Sequence, residues 1–213
     1  TVDGVAKKGA EVSTKIDTKR RDDIRRNHSA THLLHAALRE VLGTHVHQAG
    51  SLVNPERLRF DFSHYQAMTE EEIKEVERIV NEKVLESIPV VTEIKSLKEA
   101  KDEGVTGLFE SKYGEVVRVL KMGKFSMELC GGTHVRNTSE IGLFKIVSET
   151  GVAAGVRRIE AVTGHASYKY VLKNEELIKF VENRLKTTRE NIEQRIGEME
   201  KHEREQRKEI ESI

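Results

Sequence analysis

The amino-acid sequence predicts an α+β fold: a mostly antiparallel sheet with helices packed on it, followed by a long C-terminal helix. Three observations carry this. Alternating apolar and polar residues recur in paired short runs around turn residues, at 45–63, 116–129 and 141–162, as in half-buried antiparallel strands. Apolar residues at helical spacing fill 33–41 and 73–88. From His165 onward the apolar residues thin to a stripe at intervals of seven, on a background of Glu, Lys and Arg.

Composition bounds the rest. The 213 residues suffice for one large or two small domains, and 34% of them are charged, too many for one compact globule. Part of the chain is therefore expected to be extended, and the C-terminus is the obvious part. Lys plus Arg (36) balances Asp plus Glu (36), so any contact with nucleic acid must rest on local patches. The one cysteine excludes an internal disulfide framework and fits a reducing cytoplasm. No apolar run approaches the length that spans a bilayer, so no membrane partner is expected. The start, Thr1 to Val5, has neither an initiator Met nor a signal-peptide pattern, and the chain reads as a piece of something longer.

Taken in order, residues 1–18 read as one or two short strands around Gly4 and Gly9, with Glu11 to Ile16 alternating. Residues 15–26 form a basic ramp that includes Arg20, Arg21 and Arg25, either a solvated linker or a phosphate-contacting surface. A helix is expected from Asn27, with Leu33, Leu34, Ala37, Leu38 and Val41 on one face and Gly43 as its stop. Two strands, 45–53 and 57–63, flank the turn signal Asn54-Pro55; Leu58, Phe60 and Phe62 take one face of the second, Arg59 and Asp61 the other. His45 and His47 share a face of the first, and Gln48 points the opposite way. Thr69 and Glu72 make a capping box for a helix that Pro89 ends. A strand at 90–94, a short helix at 97–103 and a hairpin around Gly123 follow, the last delivering Cys130 at a strand end. Two more strands, 141–148 and 156–162, close the body. In the tail, Ile178, Leu185, Ile192, Met199 and Ile213 recur at sevens with Gln206 interrupting, as in a spacer or one strand of a coiled coil that needs a partner helix. The parts are 1–26, 27–164 and 165–213.

His28 and His32 stand four apart on a predicted helix, hence one above the other on the same face. Cys130 and His134 form a second pair about a hundred residues on. Surface histidines and a buried cysteine are the bland alternative for either pair alone. Together they give three imidazoles and one thiolate, a donor set that suits zinc, although neither is a common zinc-finger spacing. His35, His45, His47 and His64 read as structural or exposed rather than as ligands.

Several stretches resemble one family: Arg26 to Leu38, Gln48 to Val53, Arg59 to His64, Glu128-Leu-Cys-Gly-Gly-Thr-His134, and Gly155 to Gly164. They are similar to the editing domain of bacterial-type alanyl-tRNA synthetases, in order and without large gaps from about residue 10 to 164. The resemblance implies the editing-domain fold shared with threonyl-tRNA synthetases and with free-standing editing proteins of the alanine type. It implies zinc held by His28, His32, Cys130 and His134, hydrolysis of tRNA(Ala) mischarged with serine or glycine, and an editing role for Gln48. Nothing resembles the adenylate-forming core, so aminoacylation and tRNA(Ala) charging belong to the remaining domains of the synthetase. The strands at 1–18 would end the preceding β-barrel domain, and the tail would be the helical linker to a C-terminal domain.

The chemistry is coherent. A methyl is worth about 1–3 kcal/mol, so an alanine site rejects glycine poorly, and a second, hydrolytic site is the remedy. A pocket that hydrogen-bonds the serine hydroxyl would spare alanine; Gln48 and Thr31 are the candidate polar groups, with ordinary structural hydrogen bonds as the alternative. Four protein ligands leave no open metal position, which favours zinc as organiser, with substrate-assisted and zinc-aided attack of water as the alternatives. Cys130 as nucleophile with His134 as base, beside an oxyanion hole at Gly131-Gly132, is the runner-up in chemistry. A zinc-stapled tRNA-binding module without hydrolysis is the runner-up in class. Arg157 and Arg158, with the ramp arginines, are candidates for tRNA backbone contact; ion pairs on the sheet surface are the alternative.

Overall fold

In the computed structural model, which describes residues 4, 5, 7–106 and 114–212, regular structure begins at Asp17. Its carboxylate accepts the Arg20 amide at 3.0 Å and caps helix α1, Thr18–Leu42. The helix therefore starts well before Asn27, and its first turns take up most of the basic ramp. The cap and two i,i+3 ion pairs, Asp22–Arg25 at 3.1 Å and Asp23–Arg26 at 2.9 Å, support those turns. Among the described residues before Asp17 there is no strand, and Val5, Val12 and Ile16 are exposed. The alternation at Glu11 to Ile16 has no neighbouring strand to take up its backbone groups.

The body, residues 1–164, carries two antiparallel sheets. The larger has the order β1 (Gln48–Val53), β2 (Leu58–Ser63), β7 (Val156–Thr163), β6 (Phe144–Ala153). The smaller is β3 (Val90–Ser96), β4 (Val116–Met122), β5 (Ser126–Leu129). Helix α2 (Glu70–Leu85) starts from Thr69 with the expected capping box. It stops short of Ile88, because Glu86 is its C-cap and Ser87 turns left-handed at φ 55° ahead of Pro89. A short helix α3 (Leu97–Asp102), capped by Ser96, covers the small sheet through Ala100.

The main core joins one face of α1 to the large sheet and α2. Leu33, Leu34 and Leu38 lie fully buried in one cluster with Phe60 and Phe62 of β2, Ile159 and Ala161 of β7, and Val76 and Val80 of α2. Each such side chain stabilises the fold by about 1.5–3 kcal/mol relative to exposure. Asn27, buried on α1, pins this arrangement by a tie at each end. Its Nδ2 donates to the Asn54 carbonyl in the β1–β2 turn at 2.8 Å, and its Oδ1 accepts from Thr163 at the end of β7 at 2.7 Å. Helix α1 is thereby held in register along its length, which fixes the residues on its other polar face.

The tail, residues 165–213, forms a second unit. It is helical but not continuous: α4 (Gly164–Leu185) ends at Lys186, which is left-handed at φ 52°, and α5 (Ile192–Glu211) follows a 3₁₀ turn at Arg189–Asn191. The row at sevens therefore runs over two helices, with Ile178 and Leu185 on the first and Ile192 and Met199 on the second; Ile213 lies outside the described residues.

Candidate metal centre and cavity

Helix α1 presents residues 28, 31, 32, 35 and 39 along one face, and all five border a cavity of about 540 Å³. The opposite wall comes from Glu128, Leu129 and Cys130 at the end of β5, with Gln48 and Ser51 of β1 at one side. His28, His32, Cys130 and His134 converge as expected: one ligand atom from each lies within 4.8 Å of the others. The Cys130 Sγ stands 3.5 Å from His28 Nε2 and 3.2 Å from His134 Nε2. His32 Nε2 is buried with no hydrogen-bond partner, an orphan that a metal ion in this cluster would satisfy.

Outer contacts fix which nitrogen each ring offers. Ser29 Oγ lies 3.2 Å from His134 Nδ1 and also accepts the Val135 amide at 3.1 Å, so His134 turns Nε2 toward Cys130. Buried Glu128 bridges two rings, taking His32 Nδ1 on one oxygen and His35 Nδ1 on the other, the latter at 2.5 Å. This is the carboxylate–histidine pattern that raises ligand basicity at metal sites. The electrostatics agree. Burial works against the Cys130 thiolate, yet hydrogen bonds from His134 and His28 and the nearby charge of His32 outweigh it and hold the thiol down to about 3. Burial likewise opposes the Glu128 carboxylate, and His32 and His35 bring it down to about 2. Burial, helped by the charges of His28 and His32 and opposed by Cys130, pushes His134 down to about 4. His32 goes the other way, to about 9, since the nearby Cys130 thiolate and the hydrogen-bonded Glu128 carboxylate overcome burial. At neutral pH the cluster thus offers a thiolate and a neutral His134, the forms that ligate metals.

The loop from Cys130 to His134 is clamped by two arginines. Arg118 on β4 donates to the carbonyls of Cys130 at 2.6 Å and Gly132 at 2.9 Å, and Arg25 on α1 donates to Thr133 Oγ1 at 2.9 Å. Gly132 passes so close to His28 that a Cβ there would fall 2.2 Å from His28 Cε1, whereas a Cβ on Gly131 would meet nothing within 4 Å. Gly132→Ala is therefore expected to displace the His28 ring and lower bound metal well below one per chain, while Gly131→Ala keeps it. Metal content of the two purified variants checks this, and equal occupancy would refute it.

Thr31 and Gln48 both border the cavity. Thr31 is buried, and its hydroxyl donates to the Asn27 carbonyl at 2.8 Å, leaving the oxygen only as an acceptor. Gln48 is exposed at the first residue of β1, beside a bulge before Gly50. His47 precedes that strand, so strict alternation does not apply to it and both His47 and Gln48 border the cavity. Arg157 is paired with Glu149 at 2.6 and 2.8 Å, and Arg158 with Asp61 at 2.7 and 2.9 Å. Glu160, the neighbour expected for Arg158, pairs with Arg57 instead. Arg20 and Arg21 lie on the first turns of α1, away from the cavity lining. Glu128, Ser29 and Arg118 are the residues sequence reasoning missed. Among the described residues no helix is long and apolar enough to cross a membrane.

Comparison with known proteins agrees with this geometry. The family described as threonyl and alanyl tRNA synthetase second additional domain matches residues 117–160, which hold the Cys130–His134 loop. An alanine–tRNA ligase of Listeria innocua is 54% identical over 211 residues, 99% of this chain and 24% of that protein. That of Fervidobacterium nodosum is 56% identical over 203 residues, 95% of this chain and 23% of its own, and that of Bacillus subtilis 50% over 210 residues, 99% and 24%. The chain thus spans about a quarter of the length of the curated relatives it matches. With half or more of its residues identical to theirs from end to end, the chain belongs to the alanyl-tRNA synthetase family, as the segment built around that additional domain.

Proposed function

We propose that this segment is the editing site of the synthetase, hydrolysing the ester that joins serine or glycine to the 3′ end of tRNA(Ala), with zinc as its metal. The observation that carries the reading is the convergence of His28, His32, Cys130 and His134, three of which, His28, His32 and Cys130, line a cavity large enough for an aminoacylated nucleoside. Zinc bonds of about 2.0–2.1 Å to nitrogen and 2.3 Å to sulfur give tetrahedral edges of roughly 3.4–3.6 Å. The sulfur–nitrogen separations of 3.5 and 3.2 Å suit that ion. When bound, zinc supplies a fixed positive charge and Lewis acidity beside the ester.

The chain's own groups do the sorting. With its proton committed to Asn27, Thr31 Oγ1 can accept from the hydroxyl of a seryl ester, and exposed Gln48 can reach the same space from β1. An alanyl ester would leave these groups unpaired, so this contact separates serine from alanine; glycine, which also lacks the hydroxyl, is not sorted by it. Aminoacylation lies with the parts of the synthetase outside this segment, and tRNA(Ala) and those domains are its partners.

The test is release of amino acid from tRNA(Ala) charged with serine, glycine or alanine. Serine and glycine are expected to be released and alanine spared; binding of all three with no release would leave only a tRNA-binding module. Thr31→Val, which keeps shape and removes the acceptor, is expected to slow serine release about tenfold, for a hydrogen bond worth about 1–1.5 kcal/mol, and to leave glycine release unchanged. An equal loss on both esters would remove Thr31 from serine recognition.

A further inference from the structure

Glu128 serves two rings, and the metal accounts for only one of them. Each carboxylate oxygen takes the Nδ1–H of one imidazole, so Nε2 is the nitrogen through which each ring, when neutral, can accept. Both Nε2 atoms are buried without a hydrogen-bond partner. That of His32 belongs to the metal cluster. His35 stands outside the cluster, one turn farther along α1, at 5% exposure, with Phe60 packed on its ring at 5.2 Å between centroids. It borders the same cavity as His28, Thr31 and His32. A buried imidazole that borders a cavity, held in one tautomer by a carboxylate and with its other nitrogen buried and unpartnered, is an acceptor waiting for an O–H donor.

We propose that His35 is a catalytic residue of the hydrolysis, its Nε2 holding the attacking water. This rests on the proposed editing activity. Water is the O–H donor that both the seryl and the glycyl hydrolysis consume. One water proton hydrogen-bonds to Nε2 while the water oxygen adds to the ester carbonyl carbon. As the carbon–oxygen bond to the terminal ribose breaks, the proton given up at Nε2 passes to the departing ribose oxygen. The free amino acid and the tRNA hydroxyl result, and His35 returns unchanged. Glu128 keeps the ring turned so that Nε2 stays an acceptor.

The experiment measures single-turnover release from seryl- and glycyl-tRNA(Ala) by the unaltered chain and by His35→Ala, with zinc content and the tRNA concentration for half-maximal rate. The expected result is a fall of about 100-fold or more on both esters, at unchanged zinc content and half-maximal concentration. Added imidazole, which fits the vacated space, should restore both rates in part. A fall on the seryl ester alone would make His35 a reader of the serine hydroxyl and overturn the proposal; undiminished rates would overturn it too. If His35→Ala sheds its zinc, the tautomer of His35 in the zinc-loaded unaltered chain decides, read by nitrogen-15 imidazole spectra: the proton on Nδ1 upholds the acceptor role, and the proton on Nε2 overturns it. Failure of the unaltered chain to release either amino acid would instead sink the editing function itself.

Discussion

Cys130→Ala is expected to purify without zinc and to have lost serine release from tRNA(Ala), yet to stay folded. The thiolate is the one anionic donor among the four, and it lies within 3.5 Å of His28 Nε2 and 3.2 Å of His134 Nε2. Its removal leaves three imidazoles and no anion among the ligands to balance the charge of the ion. Losing an outer-shell partner already costs about 10–100-fold in metal affinity, and losing a ligand exceeds that. The body should survive, because its core of Leu33, Leu34, Phe60, Phe62 and Ile159 is complete without the metal, and Cys130 only packs at its margin. Metal analysis, a release assay and a melting curve on one preparation check all three statements. Zinc retained at one per chain with release abolished would point to Cys130 as nucleophile, with His134 as its base.

Much of this site could be read in the sequence, and what could not has identifiable causes. The His28/His32 half-site was legible because i,i+4 spacing on an apolar-striped helix fixes a shared face whatever the surroundings, and the Cys130/His134 half-site because Cys130 and His134 flank a Gly-Gly-Thr stretch at a strand end. The Thr69 capping box and the paired strands were legible for the same local reason. Glu128 was hidden because β5 inverts the usual rule: Ser126 and Glu128 face inward while Met127 and Leu129 are only half-buried. An alternating strand shows which residues share a face, not which face is covered, and here the covered face carries the carboxylate that two distant histidines require. Arg118 and Ser29 escaped notice because their partners lie in the Cys130–His134 loop, remote in sequence. The early start of α1 was obscured by composition. Residues 15–26 look like a solvated ramp until Asp17, Asp22 and Asp23 are read as a cap and two ion-pair partners. The break at Lys186 carries no glycine or proline, and the row at sevens runs across it from Leu185 to Ile192, which concealed it.

The same inversion leads to the second large effect. Glu128→Gln is expected to lower zinc affinity about 10–100-fold and to destabilise the body by about 1–3 kcal/mol, the cost of leaving a buried hydrogen-bond donor without its partner. Glutamine preserves the shape but offers one oxygen where two Nδ1–H donors must be met, those of His32 and His35. Its amide NH₂ would face the second donor, so one ring must give up the Nδ1–H tautomer or turn away. If that ring is His32, the proton moves to Nε2, the atom the metal needs, and binding suffers directly. If it is His35, the strain stays in the protein and stability suffers more than affinity. The acid limb should differ as well. The carboxyl of Glu128 is held down to about 2, below its ordinary value near 4.3, so its contribution is complete above that ordinary value and disappears as pH falls through about 2. The stability gap between the two proteins should therefore be full at neutral pH and narrow below about pH 4. Chelator competition for zinc and denaturant unfolding at two pH values measure both quantities, and a glutamine variant matching the parent in each would show that the bridge between the two histidines holds nothing in place.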